Sequence, residues 1–152
     1  MPARFAEPRR APAGFTVTEL IVSVVLVGVL FLIATPRIRD ALVRLNVRNA
    51  RYTVASLYQR ARVTAIQTRR PATLHFNGTS AWVTARIGGV DQPIGPVTDL
   101  TSRYGVAVNA PAPGTITVTP MGLVILGGDY VVRVSRGGVM DSLVVSPYGR
   151  SL

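Results

Sequence analysis

The sequence predicts an α+β protein. A long N-terminal helix, transmembrane in its first part and amphipathic in its second, packs against a small antiparallel β-sandwich-like domain. Three observations predict it. Phe15 to Thr35 is a 21-residue run, apolar but for a few hydroxyl residues, Gly28 and the carboxylate of Glu19. Residues 37–68 contain no glycine or proline and repeat apolar side chains every three or four positions. From Pro71 onward, short β-like runs alternate with glycine and proline turn signals.

The apolar run comes first in the chain. As a helix, 21 residues reach roughly 30 Å, the thickness of the bilayer hydrocarbon. Residues 1–14 are polar, with Arg4, Arg9 and Arg10 against Glu7, and the far flank is also basic. The positive-inside rule therefore does not orient the span. An acid at the centre of such a helix costs roughly 2.5–3.5 kcal/mol on insertion scales, so Glu19 near the start of the run calls for a partner. Three readings fit. A secretory signal would be cleaved at the far end, but Leu32-Ile33-Ala34-Thr35-Pro36 lacks a small-x-small site. A plain signal anchor is the second. Cleavage before the run, between Gly14 and Phe15, is the third, and it leaves the apolar helix on the mature protein.

The helix is expected to continue to about Thr68. Pro36 removes a backbone donor and crowds the carbonyl of Leu32, which predicts a kink, softened further by Gly28. Val43, Val47, Ala50, Val54, Leu57, Ala61 and Ala65 form one face. At about 100° per residue, Arg37, Arg44, Arg48, Arg51, Arg62 and Arg69 occupy an arc of roughly 60°, about 100° round from the apolar face. Such a stripe suits a solvated flank, acidic neighbours or lipid headgroups, or nucleic-acid phosphates.

The β-region begins at Ala72–Phe76, followed by the hairpin signal Asn77-Gly78, Ser80–Ile87 and Gly88-Gly89. Residues 90–102 read as a loop. Strands are expected at Tyr104–Val108, Thr115–Thr119, Leu123–Leu126, Tyr130–Arg136 and Val139–Ser146. Residues 71–152 are few for a self-sufficient core, so the apolar helix face should complete it.

Composition narrows the chemistry. The chain has 152 residues, a formal net charge of +10, no cysteine and one histidine, His75. Disulfides and thiolate or multi-histidine metal sites are excluded. All 17 basic residues are arginine, which reads first as genome composition. Nine of them lie in residues 37–70 against Asp40 alone. Asp91, Asp99, Asp129 and Asp141 are isolated, and no phosphate loop or nucleophile–base motif is present. An enzyme, a cofactor and a metal are not expected.

Gly14-Phe15-Thr16-x-x-Glu19-Leu20 before an apolar helix resembles the class III signal of type IV pilins and type II secretion pseudopilins, with Pro36 where many of these carry a proline. Tyr58-Gln59-Arg60-Ala61-Arg62-x-x-Ala65-Ile66-x-x-Arg69-Arg70-Pro71-x-Thr73-Leu74 is similar to the helix-to-strand junction of the GspH/FimT pseudopilin family. Trp82, Thr119-Pro120-Met121-Gly122 and Val144–Arg150 fit its later strand and turns. The resemblance implies residues 1–14 as a leader removed by a prepilin peptidase, with methylation of Phe15. It implies residues 15–35 as the membrane and filament-core segment, 36–70 as its amphipathic continuation and 71–152 as a periplasmic domain. Glu19 would meet the terminal amine of a neighbouring pseudopilin or pilin on an inner-membrane assembly platform. The function implied first is a minor pseudopilin of a type II secretion system. A minor type IV pilin in pilus assembly or DNA uptake and a plain membrane-anchored β-domain stand as alternatives. DNA or an acidic partner would meet Arg44, Arg48, Arg51, Arg62 and Arg150. Some FimT-type pilins bind DNA through arginines near the C-terminus; this chain has Gly149-Arg150 but continues Ser151-Leu152, with no second arginine.

Overall fold

The computed structural model describes residues 14–125 and 127–151. Of the expected leader, only Gly14 lies inside that range. Helix α1, Val17–Thr68, runs through two compact units divided between Arg39 and Asp40.

The helix starts two residues later than Phe15 for a local reason. The Thr16 hydroxyl accepts the Glu19 N–H at 3.2 Å, so Thr16 caps the first turn. Within the first unit two hydroxyls of the apolar run bond back to their own helix. Ser23 Oγ donates to the Glu19 carbonyl and Thr35 Oγ1 to the Phe31 carbonyl, each at 2.7 Å. The helix continues unbroken through Pro36. At its other end, Arg69 takes φ 53°, Arg70 N–H donates to the Ala65 carbonyl and Arg69 N–H to Ile66. That is a Schellman stop with arginine where glycine is usual.

The second unit carries every buried side chain among the described residues. Its strands are β1 (Ala72–Phe76), β2 (Ser80–Ile87), β3 (Val90–Pro93), β4 (Thr98–Asp99), β5 (Ala107–Asn109), β6 (Thr115–Val118), β7 (Tyr130–Arg136) and β8 (Val139–Val145). One antiparallel sheet has the order β3-β2-β1-β6, with β4 also on β2; the other is β5-β7-β8. Alternate residues point inward, as the pleat requires: Ala72 and Leu74 on β1, Ala81, Val83 and Ala85 on β2, Ile116 and Val118 on β6, Val132 and Val134 on β7, Leu143 and Val145 on β8. All join one core with Val47, Ala50, Val54, Leu57, Tyr58, Ala61 and Ala65 of α1. The expected helix face is therefore the core face, with Val43 half-buried at its end and Tyr58 added.

Residues 90–104 depart from expectation. The expected loop contains β3 and β4, and Tyr104 ends a short helix, α2 (Leu100–Tyr104), rather than beginning a strand. The Asp99 carboxylate caps α2 by accepting the Ser102 N–H, and Gly105 closes it at φ 65°. Pro93 is accommodated because β3 is an edge strand. The strand expected at Leu123–Leu126 reduces to one bridge, Val118 to Val124; Leu126 lies outside the described residues.

That bridge draws two turns together. Val124 N–H donates to the Pro147 carbonyl at 3.0 Å, and Ser151 bridges back to Val145. Gly122 (φ 76°) and Gly149 (φ 77°) meet so closely that a Cβ on Gly149 would collide with the Gly122 carbonyl. Only glycine fits both the backbone angle and the approach.

Candidate filament-assembly site

The expected cleavage site lies in the open. Gly14 is exposed, with nothing within 4 Å of where its Cβ would be, and Phe15 is 78% exposed. Glu19 follows as the one acid of the first helical turn, also exposed. Thr16-x-x-Glu19 has capping-box spacing, so the carboxylate sits where the helix dipole favours negative charge. The Thr16-x-x-Glu19 motif is legible in the sequence. The dipole is worth about 0.3–1 kcal/mol at an exposed site, well short of the cost of burying an acid in lipid.

The 18-residue window that makes α1 long and apolar enough to cross a membrane has mean hydropathy 2.7 and none of it is buried. An all-round apolar helix without a protein cover is built for lipid or for other helices.

The arginines expected to meet DNA or an acidic partner separate into two kinds of residue. Arg44, Arg48 and Arg150 are exposed. Arg51 is half-buried; its Nε donates to the Ser142 carbonyl at 3.0 Å and lies 3.7 Å from the Asp141 carboxylate, tying the helix to β8. Arg62 packs under the two glycine turns, where a Cβ on Gly122 would lie 3.1 Å from its Nε. That Nε is buried without a hydrogen-bond partner, as are the Tyr58 hydroxyl and Ser146 Oγ. Burial pushes the Tyr58 hydroxyl pKa upward, and the Arg62 charge offsets part of that. Arg51 and Arg62 are thus committed to the fold. Arg60, off the stripe, reaches the loop at Gly95, and Arg136 donates to the Tyr104 carbonyl at 2.6 Å. Helical phase alone could not separate these roles, because each depends on a strand or turn far away in sequence.

No family model and no curated protein matches the sequence. Two crystal structures of the Pseudomonas aeruginosa type IV minor pilin FimU match its fold. The first has a TM-score of 0.61 and 18% identity over 72% of this chain and 88% of that one. The second, another crystal form, has a TM-score of 0.57 and 17% identity over 69% and 90%. The fold is pilin-like. A pilin-like fold is recovered here at low identity because alternation in the strands and the α1 core face survive many side-chain exchanges.

Proposed function

We propose that this chain is a minor pilin-like subunit, cut after Gly14 by a prepilin peptidase, methylated at Phe15 and assembled with other pilin-like chains from the bacterial inner membrane. The observation that carries the reading is the bare apolar first half of α1 in a chain of pilin-like fold. In the membrane, Glu19 would lack water; in a filament, the positive amine of a neighbour's Phe15 supplies the missing charge. The β-domain would then stand in the periplasm, with Arg44, Arg48 and Arg150 available to acidic partners or DNA. Both fold neighbours are minor pilins of a type IV pilus, which favours a pilus over the secretion pseudopilus that the sequence suggested first.

Co-expression with a prepilin peptidase tests the reading. The intact mass should fall by residues 1–14 and rise by one methyl group. An unchanged mass removes both the pilus and the pseudopilus versions and leaves a membrane-anchored β-domain.

A further inference from the structure

The hairpin signal Asn77-Gly78 joins β1 to β2, and the hydrogen bonds of the turn converge on one atom. The Asn77 N–H donates to the Ser80 carbonyl at 3.2 Å, which closes the turn. Asn77 Oδ1 then accepts three bonds: the Thr79 N–H at 3.1 Å, the Thr79 hydroxyl at 3.2 Å and the Ser80 N–H at 2.7 Å. None of the three involves Nδ2. An Oδ1 that reaches the N–H two residues on carries Cγ back over the Gly78 nitrogen between them. Gly78 takes φ 88°, and beyond its chain neighbours only the Val108 carbonyl, at 3.9 Å, lies within 4 Å of where its Cβ would be. Residues 77–79 are exposed, so water reaches the turn. Asn77 is also the one asparagine in the chain that precedes glycine; Asn46 and Asn49 lie inside α1, and Asn109 ends β5.

We propose that Asn77 is a modification site, where the folded turn promotes loss of ammonia from the side chain. Water or hydroxide takes the Gly78 N–H proton, and the nitrogen attacks Asn77 Cγ. As the N–Cγ bond forms, negative charge gathers on Oδ1, at which three donors are aimed. The charge then returns to carbon, the Cγ–Nδ2 bond breaks, and ammonia leaves with a proton from water. A five-membered imide remains between the two residues. Water opens it at Cγ to give aspartate, or at the main-chain carbonyl to give isoaspartate. The aspartate keeps all three donors, now in stronger charge-assisted bonds. The neighbouring carboxylate, on Asp99 opposite Ser80, is turned onto the Ser102 N–H. Isoaspartate lengthens the main chain by one carbon. It would shift the Gly78 carbonyl, which holds the Val108 N–H, and the Thr79 carbonyl, which holds the N–H groups of Leu100 and Thr101. The modification thus acts where the hairpin meets α2 and β5. The proposal does not depend on cleavage at Gly14 or on assembly.

The full chain in detergent is held in warm, mildly alkaline buffer and sampled by tryptic mapping. The tryptic peptide 70–86 holds no other side-chain amide, so a gain of one mass unit in it reports on Asn77. The gain is expected in the native chain, and about threefold or more slowly in guanidinium, where the donors disperse. Thr79→Val, which removes the hydroxyl donor at nearly constant volume, should slow the native rate about threefold. Asn77→Asp should match or exceed the thermal midpoint of the parent. Conversion of the denatured chain but not of the native one overturns the proposal, because the turn would then protect Asn77. So does an undiminished rate in folded Thr79→Val, or a midpoint of Asn77→Asp well below that of the parent.

Discussion

The two halves of α1 invert the usual relation between hydrophobicity and burial. Val17 to Arg39 is the more apolar half, yet it is exposed throughout. Asp40 to Thr68 carries most of the helix's arginines, yet it supplies seven buried residues. Apolar content alone does not bury a helix; a facing surface does. The second half has its surface in the two sheets. Among the described residues the first half has no such surface.

The sharpest way to break this contrast is Glu19→Ala. Filament assembly should be lost while membrane insertion and the thermal midpoint of the β-domain stay unchanged. A filament of normal yield, seen by shearing and electron microscopy, would remove the role proposed for Glu19. Next is a matched pair. Leu57→Ala should destabilise the domain by about 2–4 kcal/mol in denaturant unfolding, whereas Leu30→Ala should leave the same transition in place. Equal effects would erase the distinction between the halves. Gly149→Ala should cost about 2 kcal/mol or more, because it adds left-handed strain to a clash with Gly122. Arg51→Met should cost about 1 kcal/mol, mostly from the Ser142 hydrogen bond, and raising salt should change that little.

The smallest effect is on pH. His75 has a folded pKa below its unfolded value, so the unfolded chain takes up the proton first. Its contribution is intact above about pH 6.5 and is lost as pH falls through the lower folded value. Thermal midpoints should decline on acidification below that point, and His75→Gln should flatten the decline.

Much of this was legible before any coordinates. The ends of β1 and β2 were marked by Pro71, Asn77-Gly78 and Gly88-Gly89, and those of β7 by Gly137-Gly138, turn signals with a fixed backbone demand. The α1 core face followed from period alone. Residues 90–104 were misread because Pro93, Gly95 and Pro96 outweighed a real helix signature, Asp99 before Leu100 and Gly105 after Tyr104. At the candidate site, Gly14, Phe15 and Glu19 stand out in the sequence as a local motif, and their roles are proposed. The division of the arginines was not, since Arg51 finds Ser142 and Arg62 finds Gly122 and Gly149 only through tertiary contact.

The place where burial begins has a biochemical consequence. No described side chain before Val47 belongs to the core, while Arg37 and Arg39 lie just upstream in an exposed stretch. A trypsin-like protease cutting there would release the β-domain with its whole core, parted from the apolar segment.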